Sequence, residues 1–341
     1  MIRTGLIGYG LGGMAFHAPL IDAVPELDLV AIVTSRPGPV HERHPDVQVV
    51  PDAAALFADP TIELVAISTP NDTHFPLARA ALAAGKHVVI DKPFANSVAE
   101  AEALIALAEK RGRVLSVFHN RRWDSDFLTL RKLLYQGALG EVTLYEARWD
   151  RFRPALRDSW RETAGPGGGV LVDLGPHLID QALALFGMPE AITADIVAQR
   201  PASLVDDYFE LTLHYGRMRA ILSSAAIVPS PRPRFAVHGT QASFVKHGLD
   251  PQENQLRGGG RADDPGHGVE DPAICGMLAG GDGSRRPIAS ERGDYRLFYS
   301  GVAQAIATQA PPPVPPAEAL AGLRIIELAR QSAAEGRSLG F

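Results

Sequence analysis

Cysteine is almost missing from this 341-residue chain, where Cys275 stands alone beside a glycine. A single thiol excludes a disulfide framework and any cysteine-built metal site, and it fits a reducing compartment. Lysine is scarce as well, with Lys86, Lys92, Lys110, Lys132 and Lys246 set against 28 arginines. There is no basic excess: the formal net charge is -6, which argues against a surface for nucleic acid or anionic membrane. No apolar run approaches the ~18 residues that would cross a bilayer. The first strand candidate begins at Ile2, leaving no space for the basic and apolar regions of a signal peptide. What these absences leave is a cytoplasmic, enzyme-like protein of roughly two domains.

Apolar runs of strand length at Arg3–Ile7, Leu29–Val33, Leu64–Ser68, His87–Ile90 and Leu115–Phe118 alternate with Ala/Leu-rich helical segments. That alternation predicts a doubly wound parallel sheet over residues 1–120. Ser97-Val98-Ala99-Glu100 reads as a capping box opening a helix to Arg111, and Gly85 is placed to end the helix before it. Between the first strand and its helix lies Gly8-Tyr9-Gly10-Leu11-Gly12-Gly13, a G-x-G-x-x-G. Gly8 permits the tight turn, Gly10 lets a pyrophosphate approach the backbone, and Gly13 lets helix and strand pack closely, so a dinucleotide is expected here. A carboxylate ending the second strand would bind the ribose 2′-hydroxyl of NAD, but Asp28 lies at the wrong end of Leu29–Val33. Thr34-Ser35-Arg36 follows that strand instead and suits the 2′-phosphate of NADP, which is expected ahead of NAD.

Ligands of such sheets bind beyond the carboxyl ends of the strands. The third strand ends there in Ser68-Thr69-Pro70-Asn71, with His74 at the next helix start, and the fourth ends in Asp91-Lys92-Pro93-Phe94. In a chain that takes its surface cations from Arg, a strand-end Lys92 is either a tunable acid/base group or a cation simply paired with Asp91. His74 is either functional or a satisfied helix-start histidine. The fifth strand delivers His119-Asn120-Arg121-Arg122-Trp123-Asp124 to the same edge.

From about residue 142 the strand candidates become sequential and alternating: Val142–Trp149, Ile192–Gln199, Tyr208–Tyr215, Arg219–Ala225, Phe235–His238 and Ser243–Lys246. They predict a second domain, 121–341, of α/β type with a large, open, mostly antiparallel sheet. Residues 257–292, rich in Gly, Asp, Arg and Pro, are expected to form an exposed, mobile excursion, and Pro311–Pro316 a rigid connector before a helix over Ala317–Glu335. In Gly169-Val170-Leu171-Val172-Asp173-Leu174-Gly175-Pro176-His177-Leu178-Ile179-Asp180, a helix would put Asp173, His177 and Asp180 on one face. The spacing leaves open an acid/base dyad, a core-capping Asp–His pair or, more remotely, part of a metal site; no metal is expected. Pro176 counts against a regular helix.

Taken together, the glycine loop 8–13, Ser68-Thr69-Pro70-Asn71 with His74, Asp91-Lys92-Pro93 in the place of a Glu-Lys-Pro, and Asp173-x-x-x-His177 resemble the glucose–fructose oxidoreductase, inositol dehydrogenase and rhizopine-catabolism family across the whole chain. Phe16-His17-Ala18-Pro19, Arg151-Phe152-Arg153-Pro154 and Trp160-Arg161-Glu162 are similar to its branch of NADP-dependent scyllo-inositol dehydrogenases. The resemblance implies Lys92 as a cation contacting substrate and nicotinamide, His177 as acid/base, Asp173 beside it, and a homo-oligomer, dimer or tetramer, built on the second sheet. It implies hydride transfer between NADP and a cyclic polyol or sugar, with Asn120, Arg153, Trp160 and Arg161 as weaker substrate contacts. A keto- or anhydro-sugar reductase and a nucleotide-sensing regulator without turnover are the alternatives. Neither nucleic acid nor membrane is an expected partner.

Overall fold

The computed structural model describes residues 1–165 and 167–341, except the side chain of Trp160. It divides into two compact units, each discontinuous in sequence. The first combines Met1–Trp123 with Pro251–His267 and Asp294–Leu320; the second combines Asp124–Asp250, Gly268–Gly293 and Ala321–Phe341.

In the first unit, β1 (Ile2–Ile7), β2 (Leu27–Val33), β3 (Gln48–Val50), β4 (Leu64–Ile67), β5 (His87–Ile90) and β6 (Leu115–Val117) form a parallel sheet in the order β3-β2-β1-β4-β5-β6. This is the strand order of a dinucleotide-binding fold, whose direction reverses beside the central first strand. Every residue of β4 and β5 is buried, which is why both read as unbroken apolar runs rather than alternating ones. Ser97 caps the Val98–Arg111 helix by accepting the Glu100 amide, and Gly85, at φ 79°, turns the chain after the His74–Ala83 helix. Asp28 pairs with Arg3 at the start of β2, 3.7 Å away, remote from the glycine turn that follows β1. The late segments complete this unit's core: Leu256, Tyr295, Phe298, Tyr299 and Val302 pack with Leu6, Leu20, Ile32 and Phe118.

The second unit holds a nine-stranded sheet of β7 (Val142–Arg148), β8 (Ala191–Val197), β9 (Tyr208–Tyr215), β10 (Met218–Ala225), β11 (Phe235–Gly239), β12 (Ala242–Lys246), β13 (Gly276–Gly280), β14 (Arg285–Ile288) and β15 (Leu339–Gly340). Their order is β14-β13-β12-β11-β7-β10-β9-β8-β15, antiparallel throughout except between β7 and β10. Phe209, Leu211 and Leu213 of β9 are fully buried in the core, with Glu210, Thr212 and His214 alternating on the other face. The expectation of a mobile excursion over 257–292 is corrected here, because β13 and β14 extend the sheet within it. Gly276 in it is a packing residue: a Cβ there would stand 2.3 Å from the Phe244 ring on β12. The Val170–Phe186 helix covers β9 and β10 and runs through Pro176 without a break. Among the described residues no helix is long and apolar enough to cross a membrane.

Candidate active site

The first candidate cluster grows from the turn after β1. Gly8 has φ 95°, and a Cβ there would meet the Ser68 carbonyl oxygen at 2.2 Å; one on Gly13 would meet the Gly8 carbonyl oxygen at 2.0 Å. Only glycine satisfies either position. A Cβ on Gly10, by contrast, would meet nothing within 4 Å, so this stretch of backbone faces open space in which a phosphate can approach it. Leu11 is half exposed beside it, and a helix follows, π-helical over Gly13–His17 and α-helical over Ala18–Asp22. Arg36 donates through Nη2 to the Tyr9 carbonyl at 2.9 Å, and Thr34 Oγ1 accepts the Arg36 amide, so the exposed Ser35-Arg36 pair is folded against the glycine turn. The residues present therefore fit an NAD(P) dinucleotide, with open backbone at Gly10 and a guanidinium and a hydroxyl beside the glycine turn.

Asp91 and Lys92 follow β5, and the Lys92-Pro93 peptide is cis. Asp91 Oδ1 accepts the Lys92 amide at 2.8 Å, while Oδ2 accepts the Ser68 hydroxyl at 3.2 Å. A Cβ on Gly12 would fall 2.4 Å from Ser68 Oγ and 2.9 Å from Asp91 Oδ2, so the glycine turn rests directly on this pair. Burial by itself would raise the Asp91 carboxyl; His17 first, then Lys92 and His74, hold it well below the usual carboxylate range. His74 is fully buried, with Nδ1 2.9 Å from the Pro93 carbonyl and Nε2 3.0 Å from the Thr69 carbonyl, tying the loops after β4 and β5 together. Burial pushes its imidazole below the ordinary histidine value despite those carbonyls. The Ser68-Thr69-Pro70-Asn71 loop is closed by Thr69 and Thr73, whose hydroxyls lie 2.6 Å apart, and by Asn96 Nδ2 donating to the Asn71 carbonyl. Asn120 is buried in the short helical turn after β6.

The second cluster lies wholly in the second unit. Asp173 and His177 occupy successive turns of the Val170–Phe186 helix, and His177 is 6 % exposed with its ring tilted against Trp149, 5.8 Å between centroids. Asp173 accepts from Arg151 Nη1 at 3.2 Å and from Arg161 Nε at 3.3 Å. The loop that carries these arginines is held from beneath by the buried Arg200, which pairs with Asp207 at 2.7 Å and donates to the carbonyls of Arg153 and Ala155 and to Glu162. Burial first, then Arg151 and Arg157, lower the Arg153 guanidinium from its ordinary value. The side chain of Trp160 lies outside the described residues. Among the described residues no three His, Cys, Asp or Glu side chains are grouped as a metal would require.

The structure thus gathers Gly8, Gly12, Ser68, Asp91 and Lys92 into one cluster, and Asp173, His177 and Arg161 into another. Sequence reasoning passed over the Arg151 contact to Asp173 and the Trp149 wall of His177, since nothing in their spacing signals either. It named His17 within Phe16-His17-Ala18-Pro19 but gave it no role, and the structure places it 3.5 Å from Asp91 Oδ2.

Residues 2–119 match the model of an oxidoreductase family's NAD-binding Rossmann fold, and residues 131–341 match that of the same family's C-terminal alpha/beta domain. The chain is 42% identical to scyllo-inositol 2-dehydrogenase (NADP(+)) IolW of Bacillus subtilis, over 99% of this chain and 95% of that protein. It is 47% identical to the oxidoreductase YdgJ of Escherichia coli, over 97% and 96%. The solved structure of the Bacillus subtilis oxidoreductase YvaA superposes with a TM-score of 0.97 at 42% identity, covering 100% of this chain and 98% of that one.

Proposed function

The chain belongs to the glucose–fructose oxidoreductase, inositol dehydrogenase and rhizopine-catabolism (Gfo/Idh/MocA) family of oxidoreductases, and on that premise we propose that it is an NADP-dependent dehydrogenase or reductase of a cyclic polyol or sugar. An inositol-type secondary alcohol, or its ketone, is the favoured substrate, in line with the name of the IolW relative. The observation that carries the reading is the contact at Gly12: the cofactor turn lies against Asp91, and Lys92 is the next residue.

When bound, the nicotinamide supplies the acceptor or donor for the hydride. Lys92 polarises the carbinol oxygen. His177 takes the hydroxyl proton as the C–H pair leaves and the ketone forms, and returns it in the reverse direction. Asp173 favours the imidazolium, and its two arginines fix the carboxylate's direction. Ser35 and Arg36 hold the 2′-phosphate, and Asn120, Arg153, Trp160 and Arg161 supply polar contacts to further hydroxyls. We also infer a homo-oligomer, dimer or tetramer, built on the sheet face that carries Glu210, Thr212 and His214; light scattering that finds a monomer overturns that part.

Initial rates with NADP and NAD against inositols, hexoses and their keto forms test the reading. Turnover of a ring polyol or its ketone is expected. Turnover confined to simple aliphatic alcohols contradicts the substrate class, and tight NADPH binding with no turnover supports the nucleotide-sensing alternative.

A further inference from the structure

His17 is 0 % exposed and is used by none of the steps above. Its ring is packed against Phe118, 4.3 Å between centroids, and both its nitrogens face polar groups. Nδ1 is 2.6 Å from the Tyr299 hydroxyl, and Nε2 is 3.5 Å from Asp91 Oδ2. A carboxylate can only accept, so the proton on the imidazole belongs on Nε2. In the neutral ring this leaves Nδ1 as an acceptor, and the Tyr299 hydroxyl donates to it. Burial, then Asp91, pushes the Tyr299 phenol well above its ordinary range, so it keeps the proton it donates. Tyr299 belongs to the Arg296–Thr308 helix and is itself fully buried among Phe118 and Phe298. Tyr299 is thus hydrogen-bonded to His17, and His17 in turn faces the Asp91 carboxylate across 3.5 Å, beside Lys92 and under the glycine turn at Gly12.

We propose that His17, anchored by the Tyr299 hydroxyl at Nδ1, is a positioning residue that holds the Asp91 carboxylate oriented so that Lys92 acts on the substrate oxygen. The inference rests on the assignment of Lys92 made above. The aspartate is one methylene shorter than the glutamate of a Glu-Lys-Pro, and a carboxylate so close to the backbone needs a partner that comes to it. Asp91 is faced by His17 from the helix after β1, by Ser68 after β4, by His74 from the next helix, by Lys92 on its own loop and by Tyr299 behind His17. Burial is the largest influence on Asp91 and favours the protonated acid, and removing His17 takes away the first of the contributions that oppose it, leaving Lys92 and His74. The acid limb of the turnover profile then moves to higher pH.

The experiment measures kcat, KM and NADPH affinity against pH for the full chain and for His17→Leu, His17→Gln, Tyr299→Phe and Asp91→Asn, with thermal unfolding as a check on the fold. His17→Leu is expected to lower kcat about tenfold or more, with KM and NADPH affinity changed little, and to shift the acid limb upward. His17→Gln, which still offers an N–H to Asp91, restores part of the loss. Tyr299→Phe keeps the ring packing and reproduces the shift in smaller degree, and adding it to Asp91→Asn costs nothing more. Unchanged kcat and acid limb in Tyr299→Phe, or losses that multiply fully with Asp91→Asn, overturn the inference. If His17→Leu fails to fold, Tyr299→Phe and its double variant decide alone. Lys92→Met run in parallel separates the two levels: near-normal turnover there removes the assignment of Lys92 and this inference with it, whereas a dead Lys92→Met beside a wild-type Tyr299→Phe removes the inference only.

Discussion

Asp91 in the first unit and Asp173 in the second are both carboxylates beside a proposed catalytic group, but they are held by different means. Asp91 accepts from a hydroxyl at 3.2 Å and a backbone amide at 2.8 Å, and a buried imidazole stands 3.5 Å away. Asp173 is fixed by two guanidiniums on a loop, one of them 45% exposed. The two carboxylates are similarly exposed, and the difference lies in their partners: oriented dipoles and a buried ring reorganise little and respond weakly to salt, whereas partly exposed guanidiniums are screened and mobile. The first arrangement suits a group that must stand still beneath a cofactor turn. The second suits a loop that, on the function proposed above, would contact substrate.

The largest expected effect joins the two clusters. Lys92→Met and His177→Ala are each expected to lower turnover by at least ~10²-fold, the lower range for positioned acid/base groups, with little change in NADP affinity. Because both would act on one carbinol oxygen, the double variant should be little worse than the poorer single one. Steady-state rates across pH decide it: losses that multiply fully, or near-normal turnover in His177→Ala, mean that the clusters do not serve one reaction.

The units should also part company in acid. His87, at the start of β5, accepts the Val114 amide at Nδ1 and has Arg113 3.3 Å from Nε2, so a second proton has no acceptor there. Burial first, then Arg113, lowers its imidazole to about 4. The folded first unit therefore binds that proton less readily than the unfolded chain, and its stability falls as pH drops below the ordinary histidine value. The loss is about 2 kcal/mol between about pH 7 and pH 5. In the second unit burial raises the carboxyls of Asp126 and Asp206, so their contribution grows as pH falls and is lost as pH rises through the raised values. Hydrogen exchange resolved by segment should show the first unit opening more readily at the lower pH, and His87→Gln should narrow the difference, with the buried His74 and the raised Asp126 and Asp206 carrying the rest. Equal acid sensitivity in both units would contradict it.

Cofactor choice is the next effect in size. A charge-assisted phosphate contact contributes about 1.5–3 kcal/mol, so NADP should be favoured at least about tenfold in kcat/KM, and Ser35→Asp should erode the preference by repelling the phosphate. Equal or better use of NAD by the wild type would remove Arg36 from that role.

The contrast between the clusters also marks how much was legible beforehand. The glycine turn, the ends of β4 and β5 and the capping of the Val98–Arg111 helix were readable because each is set within a few residues by backbone geometry. The Asp173–His177 spacing was readable for the same reason, since i,i+4 is a property of one helix. The contacts that fix these groups were not: Tyr299 lies 282 residues from His17, and Arg151 lies 22 before Asp173. The return of residues 251–267 and 294–320 to the first unit left no local signal either, since their apolar residues suit any core. β13 was missed because Gly276, which makes room for Phe244, looks like a loop glycine when the ring is out of view.

The smallest expected effect tests the contrast most directly. Arg161 is nearly half exposed, and pairs of that kind contribute roughly 0.2–1 kcal/mol, so Arg161→Gln should lower kcat by less than about fivefold. Arg151 is less exposed and shares the same carboxylate, so it retains most of the orientation when Arg161 is gone. The remaining pair is still an ion pair, so salt should lower kcat at saturating substrates in the variant more steeply than in the wild type, where two cations share the task. Tyr299→Phe, whose defect would sit among buried dipoles, should show the salt response of the wild type. If the two variants respond alike, Asp173 is held no differently from Asp91, and the distinction between a locked carboxylate and a loop-held one has no functional weight.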